Sequence, residues 1–181
     1  MPPIQPAFNM SVKSRVTAGI LGTAIALASV FVAGFEGRRL HAYQDTGGVW
    51  TLCDGHTRGV RPGDVATPEQ CDEYLSADLL EANAVVDSCI TAPMTTNQRA
   101  AFISFAFNVG PGRAGVKDGL CVLKNGKQPF VRRMANDGRW KDACEGLLAW
   151  ARAGEVKLRG LARRRAAEMA MCWPDFSNVI G

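Results

Sequence analysis

An uncharged apolar run near the N-terminus limits the folds open to this 181-residue chain more than any other feature. The 20 residues Val16–Phe35 carry no charge, and Lys13 and Arg15 precede them. As a helix rising about 1.5 Å per residue, such a run is about as long as a bilayer core is thick. Eleven of the 20 residues are Ala, Gly, Thr or Ser, so insertion into a bilayer would gain little free energy.

Three interpretations of this run place the rest of the chain outside the cytoplasm. It is a permanent signal anchor, a cleaved signal peptide with Ala26–Ala28 as a small-x-small site, or a marginal anchor that can leave the membrane. Lys13 and Arg15 favour a cytoplasmic N-terminus, while Arg38 and Arg39 on the other side weaken that signal. A soluble core helix is the alternative, but no polar face appears along the run.

The six cysteines indicate disulfides rather than a metal site. Their spacing contains no Cys-x-x-Cys pair, and the chain has only two histidines, so zinc or iron–sulfur ligation is disfavoured. An even number of scattered cysteines fits an oxidising compartment, the alternative being buried free thiols in a cytosolic protein. The cysteines are Cys53, Cys71, Cys89, Cys121, Cys144 and Cys172.

Size and charge describe a single, mildly basic globular domain. The 146 residues after Phe35 suit one domain with its own core. Charged residues make up 21% of the chain and apolar ones 47%, which excludes a disordered protein. The net charge of +4 suits an anionic partner such as nucleic acid, acidic lipid or cell-wall polymer, or serves solubility alone.

Turn and capping signals divide this domain into a small β-containing part and a helical part. The turn signal Asp45–Gly48 separates the short runs "RLHAY" and "VWTLC", which predicts a hairpin with Asp45 at its tip. Thr67 followed by Pro68 and Gln70 predicts the start of a long helix that ends near Ser88.

The remaining helices are predicted in the same way. Thr95 with Gln98 begins a second helix through "AAFISFAF", which "NVGPGRAG" ends. Three shorter helices follow, over about residues 130–136, 139–152 and 160–172. The sequence therefore predicts a small β lobe, a long connecting helix and a larger helical lobe.

Glu36, Asp45 and Thr51 are the residues best suited to chemistry. Glycoside hydrolysis commonly uses two carboxyl groups across one bond, one to donate a proton and one to act on water or on the sugar. A Glu beside apolar Phe35 can hold its proton, an Asp in an exposed turn stays ionised, and a Thr hydroxyl can hold a water. On the residues alone, two solvated surface acids explain the pattern better than a catalytic pair does, because two acids nine residues apart occur in most proteins.

Longer stretches identify a family. The spacing Glu36, eight residues, Asp45, five residues, Thr51, with "TLCDGHT", "NQRAAFISFAFNVG" and "GLARRRAAE" in order, resembles the tailed-phage lysozymes, which are peptidoglycan-cutting endolysins. The weak anchor that abuts Glu36 resembles the signal-anchor-release type in particular. The resemblance runs from about Lys13 to Cys172 and implies an α+β lysozyme-like fold.

The resemblance also implies the catalytic roles. Glu36 would donate the proton, and Asp45 would act on a water that Thr51 also holds. The bond would be the β-1,4 link between N-acetylmuramic acid and N-acetylglucosamine, cut with inversion and without a cofactor or metal. Phe107 and Asn108 would lie at the substrate cleft.

Three further residues would support the site in this family. Arg164 is expected to pair with Glu36, and His56 with Asp78 on the long helix. Arg164 belongs to a basic run with Arg159, Arg163 and Arg165. Apart from Arg164, this run is either a solvated helix face or a surface for anionic wall polymer or lipid headgroups.

The resemblance implies a location and a mode of control as well. Residues 1–35 would form a signal-anchor-release segment and residues 36–181 the catalytic domain, a monomer with peptidoglycan and no nucleic acid as partner. Residues 16–35 would tether it to the host inner membrane, facing the periplasm, inactive until the anchor leaves the bilayer. The alternative is a membrane-anchored, non-catalytic wall-binding protein with a lysozyme fold.

Two features depart from the plain family pattern. Asp54 adds a third carboxylate near the site, either as a solvated strand residue or as a group that perturbs the titration of Asp45. The six cysteines exceed what the family needs, and the pairing expected within the lysozyme-like fold is Cys53–Cys71, Cys89–Cys172 and Cys121–Cys144.

Overall fold

The computed structural model describes residues 12–45, 47–153 and 156–173. Residues 1–11 of the predicted anchor segment and Thr46 of the predicted turn lie outside this description. The helices of the described part are α1 (Val12–Glu36), α2 (Pro68–Cys89), α3 (Thr96–Val109), α4 (Phe130–Asn136), α5 (Trp140–Gly146), a 3-10 helix (Leu147–Trp150) and α6 (Arg159–Cys172). Its strands are β1 (Arg39–Gln44), β2 (Trp50–Cys53), β3 (Arg152–Ala153) and β4 (Val156–Lys157).

The predicted hairpin is present as β1 and β2. The two strands are antiparallel, with Tyr43 opposite Thr51 and an irregularity between Arg39 and Tyr43. The Asp45 carboxylate ends the first strand, since its Oδ1 accepts the N–H groups of Gly47 at 2.9 Å and Val49 at 2.8 Å. Such a bond from a side chain to the following backbone is what makes Asp a frequent turn residue.

Both predicted capping boxes start their helices. Thr67 Oγ1 accepts the N–H of Gln70 at 3.2 Å, and the Gln70 side chain accepts the N–H of Thr67 at 2.8 Å, at the start of α2. Thr95 and Gln98 form the same pair of bonds before α3. These reciprocal bonds satisfy donors that a helix start otherwise leaves free.

Helix α3 is the centre of the helical lobe. Its middle, residues 100–106, is buried on every side, and α1, α2 and α6 pack around it. Phe102 and Phe105 meet Trp140 and Trp150 edge to face. A helix that is apolar all round belongs in a core, so α3 can fix the relative positions of its three neighbours.

Helix α1 packs on this core through a narrow stripe. Ala24, Ala28 and Val32, spaced four residues apart, are fully buried against α3 and α2. Leu27 is 40% exposed and Val30 79% exposed, so much of the apolar surface of the helix stays in solvent. Within the part of the chain that the structure describes, no helix has the length and hydropathy of a membrane span.

The cysteine pairing differs from the expected one in two of three bonds. Cys53–Cys71 is confirmed, whereas the other two disulfides are Cys89–Cys121 and Cys144–Cys172. Cys172 ends α6, which packs against α5 and its Cys144 rather than against the end of α2. The loop after α3 brings Cys121 to Cys89 instead, and Arg132 donates to the carbonyls of both.

The predicted helix over residues 139–152 is broken. The α-helix ends at Gly146, a 3-10 turn follows, and Arg152 begins the short unpredicted hairpin β3–β4. Gly146 is where the chain touches α4, since a Cβ there would lie 2.9 Å from Phe130 and 3.0 Å from Val131. The predictions for α4 and α6 are confirmed to within one residue.

Candidate active site

Glu36 is the last residue of α1, at the junction of the two lobes. Gly37 follows with a φ of +68°, a conformation that glycine adopts at low cost, and the chain turns there into β1. The Glu36 side chain is 24% exposed, and Arg164 on α6 donates a hydrogen bond to its Oε1. The proton-donor candidate is therefore partly withdrawn from water and has a cationic partner.

Asp45 and Thr51 reach the same region from the hairpin. Asp45 is exposed, and its two turn-forming hydrogen bonds both go to Oδ1. Thr51 is buried, and its hydroxyl donates to the carbonyl of Val49 at 3.1 Å. The turn geometry thus fixes the carboxylate of Asp45 on the rim of the hairpin.

One pocket of about 290 Å³ brings together the five residues predicted for catalysis and substrate binding. Asp45 and Thr51 contribute from the hairpin, Glu36 from α1, and Phe107 and Asn108 from the end of α3. Its full lining is Glu36, Tyr43, Asp45, Thr51, Gly55, Thr57, Phe107 and Asn108.

Two neighbouring pockets extend this one on both sides. A pocket of about 230 Å³ shares Gly55, Thr57 and Phe107 with it, and one of about 590 Å³ shares Glu36 and Asn108. The shared lining residues make the three pockets neighbours along one groove, and Glu36 lines two of them. A groove of this kind suits a chain-like ligand that passes across the protein.

The backbone at Gly55 lies beside Glu36 in a conformation that favours glycine. Gly55 has a φ of +94°, and a Cβ there would lie 3.5 Å from Glu36 Oε2 and 3.6 Å from the ring of Phe107. The next residue, His56, points away from the pocket lining: its Nδ1 lies 2.8 Å from Asp78 Oδ2 on α2, and its ring stacks on Tyr74 at 4.4 Å. The contacts of His56 hold the β lobe on the long helix.

Asp54 is buried, so its interpretation as a solvated strand residue is wrong. It is 2% exposed, and Arg38 donates to its Oδ2 through Nε at 2.9 Å. Arg38 also bonds Asp72 on α2 at 2.8 Å, and the hydrogen bonds to both carboxylates raise its pKa. The Cys53–Cys71 bond lies next to this ion pair, so a covalent and an ionic link together hold the hairpin on α2.

Behind Arg164 lies a buried charged cluster that the sequence did not predict. Arg165 and Glu168 are both fully buried, with Arg165 Nη1 2.8 Å from Glu168 Oε2. Arg165 donates to Asn108 Oδ1 at 2.6 Å, while Glu168 Oε1 accepts from Ser104 at 2.7 Å and from Arg164 at 3.2 Å. Burial raises the pKa of Glu168 and lowers the pKa of Arg165 to about 10.

The spacing of these residues along the sequence does not indicate that they are buried. Arg164 and Arg165 stand four and three residues before Glu168, a pattern typical of ion pairs on solvated helix faces. The unbroken basic run in the sequence reinforced that interpretation. Only the packing of α6 on α3 removes these side chains from water.

A family model and a known relative both match most of the chain. The family model described as phage lysozyme matches residues 33–168. The SAR-endolysin of Pseudomonas phage phiKMV is 34% identical over 155 residues, which cover 83% of this chain and 89% of that protein.

Solved structures show the same fold. The muramidase domain of SpmX from Asticaccaulis excentricus matches with a TM-score of 0.68 and 32% identity, covering 80% of this chain and 93% of that one. The active form of the P1 phage endolysin Lyz matches with a TM-score of 0.70 and 25% identity, covering 92% and 96%. With the lysozyme-like fold, the groove and the family match in agreement, this chain belongs to the phage lysozyme family, whose members are glycoside hydrolases.

Proposed function

We propose that this protein is a muramidase that cuts the β-1,4 bond between N-acetylmuramic acid and N-acetylglucosamine in peptidoglycan, for host lysis and phage release. The observation that carries the proposal is the pocket that Glu36, Asp45 and Thr51 line together. The muramidase domain of SpmX and the phage endolysins, which share the fold, support the choice of peptidoglycan as substrate.

In this mechanism Glu36 donates its proton to the glycosidic oxygen as the bond to the anomeric carbon breaks. Phe107 and the backbone of Gly55 limit the access of water to the carboxyl group. A protonated acid has less attraction for a guanidinium, so the contact with Arg164 loosens when substrate binds. Asn108, beside Glu36 in the pocket, is placed to hydrogen-bond the sugar.

Asp45 and Thr51 act on the water that replaces the leaving group. Asp45 is held by Gly47 and Val49, and it takes a proton from this water while the Thr51 hydroxyl holds the oxygen. The water attacks the anomeric carbon from the face opposite the leaving oxygen, which inverts its configuration. No step requires a metal or a cofactor.

The same proposal includes a tethered, inactive form. Residues 1–35 are a signal-anchor-release segment ahead of the catalytic domain, residues 36–181, and residues 16–35 hold the monomeric enzyme on the periplasmic side of the host inner membrane. The uncharged run and the SAR-endolysin of phage phiKMV support this. Because Glu36 ends α1, withdrawing that helix into a bilayer also withdraws Glu36 from the pocket.

Glu36→Gln should abolish lysis. We expect wild-type protein to clear a suspension of outer-membrane-permeabilised cells and release muropeptides, while Glu36→Gln loses at least about a hundredfold in rate, as general-acid removal commonly does. Glu73→Gln, an exposed change on α2 with the same loss of charge, is the matched control and should behave as wild type.

Equal clearing by wild type and Glu36→Gln would contradict the muramidase assignment. Sedimentation of the protein with isolated peptidoglycan, without release of muropeptides, would instead identify a wall-binding protein.

A further inference from the structure

Arg164 is shared between two carboxylates. Its Nη1 donates to Glu36 at the pocket, and its Nε lies 3.2 Å from Oε1 of Glu168 on the far side. Arg164 is 4% exposed, and the ring centroids of Phe35 and Phe107 lie 6.0 and 5.9 Å from its guanidinium carbon. With so little water around it, the pull of each carboxylate on Arg164 is only weakly screened.

Glu168 is held in place by groups other than Arg164. Ser104 on α3 donates to Oε1 at 2.7 Å, and Arg165 lies 2.8 Å from Oε2. The side chain is fully buried and does not line the pocket. The charges of Arg165 and Arg164 oppose the effect of burial on the pKa of Glu168. Its carboxylate is therefore fixed behind Arg164, on a different nitrogen of the guanidinium from the one that contacts Glu36.

We propose that Glu168 is a positioning residue for the proton donor, because it shares Arg164 with Glu36 and so weakens the hold of the guanidinium on the Glu36 carboxylate. The inference rests on the proposed role of Glu36 as general acid. Two arginines and one glutamate behind Glu36 give a local charge of +1, and loss of the glutamate would raise it to +2. Both the extra charge and the freed guanidinium would stabilise the carboxylate form of Glu36.

The other charged groups around Glu36 would be unchanged by a substitution at Glu168. On the chain just after α1, Arg38 is held by Asp54. Asp45 and Tyr43 face Glu36 from the hairpin, and exposed Arg159 and Arg163 line the neighbouring pocket from α6. The α3 residues of the pocket, Phe107 and Asn108, do not titrate.

A purely structural role for Glu168 makes a different prediction. If Glu168 serves only to neutralise buried arginines, its loss would destabilise the fold and leave the ionisation of Glu36 where it was. Direct titration of the Glu36 carboxyl carbon by NMR separates the two roles, and it requires no substrate.

The deciding experiment compares wild type, Glu168→Gln and the exposed control Glu145→Gln in the full chain with its disulfides intact. We expect the Glu36 titration midpoint to move down by about one pH unit in Glu168→Gln, and the alkaline limb of the activity profile to move with it. Glu145 is 52% exposed on α5, and its loss should move neither. A folded Glu168→Gln protein with an unmoved Glu36 midpoint would overturn the proposal.

Ser104→Ala provides a second test that does not remove a buried charge. Without the Ser104 hydroxyl, Glu168 Oε1 is left to Arg164 and pulls it harder. Arg164 Nη2 loses its 3.4 Å contact with that hydroxyl but still donates to the Ser104 carbonyl at 3.3 Å, so the Glu36 midpoint should rise by a few tenths of a pH unit. If Glu168→Gln does not fold, this result decides alone, and an unchanged or lowered midpoint refutes the proposal. A shifted midpoint in a protein that releases no muropeptides would instead uphold the coupling and contradict the muramidase function.

Discussion

Asp54 and Arg38 hold the hairpin of the active site although neither lines the pocket. Asp54 is buried with Arg38 as its charged partner, and Arg38 stands two residues after Glu36. A buried carboxylate that loses its partner keeps its full desolvation cost, so this pair matters more for stability than an exposed one. The second partner of Arg38, Asp72, is 70% exposed. A buried and an exposed ion pair of the same guanidinium can therefore be compared for their effect on stability.

Asp54→Asn should lower the free energy of unfolding by about 1–3 kcal/mol, because it removes a charged hydrogen bond at a buried site. Asp72→Asn should cost no more than about 0.5 kcal/mol, as is usual for an exposed ion pair. Urea titration of both variants under non-reducing conditions measures the difference. Equal losses would mean that burial of Asp54 contributes nothing to the strength of this link.

At the scale of elements, α6 depends on its disulfide to α5. Cys144–Cys172 closes a span of 28 residues, which includes β3, β4 and the whole of α6. This helix carries Arg164, Arg165 and Glu168, so its position sets the back wall of the site.

Replacing Cys144 and Cys172 together by Ala should cost about 3–4 kcal/mol of unfolding free energy, from the loop entropy regained by the unfolded chain. Thermal unfolding of the double variant measures the loss. Peptide mapping of the wild type without reduction checks the pairing, and a Cys89–Cys172 peptide would contradict the fold of this lobe.

The sequence predicts a structural feature when the interactions that cause it are between residues close together in the chain. Capping at Thr67 and Thr95 and the turn at Asp45 involve neighbours in the chain, and all three were predicted. The end of α5 at Gly146 and the partner of Cys172 depend on which helices pack together, which spacing along the chain does not record.

The same distinction between local and long-range causes separates the site residues that the sequence predicts from those that it does not. The spacing of Glu36, Asp45 and Thr51 identified the pocket-lining residues through a family resemblance, while their roles stay predictions. Glu168 was missed because its burial comes from α3, and Asp54 was misjudged because its partner Arg38 lies across the hairpin.

At the scale of the whole molecule, α1 is both the proposed membrane tether and a wall of the folded enzyme. Ala28 is fully buried in its contact stripe, whereas Ala26 on the same helix is exposed. A change to Leu raises the hydropathy of the segment equally at both positions, so any difference between the variants reports docking on the body rather than affinity for the bilayer.

Ala28→Leu should overpack the stripe by about 1–3 kcal/mol and reduce the specific activity of the released enzyme about tenfold. Ala26→Leu should keep the activity of wild type. The measurement is muropeptide release per mole of protein, made on soluble and membrane fractions separately. Full activity in the membrane pellet, or equal activity of the two variants, would contradict docking of α1 as the step that switches the enzyme on.

The disulfide connectivity has a consequence for how the chain matures. Along the sequence the first cysteine pairs with the second, the third with the fourth and the fifth with the sixth. When the part of the chain behind the anchor crosses the membrane in sequence order, each odd-numbered cysteine can therefore be oxidised with the next cysteine to emerge. Pairing the cysteines in their order of export would then give the three native disulfides directly. No disulfide isomerase would be needed to rearrange them afterwards.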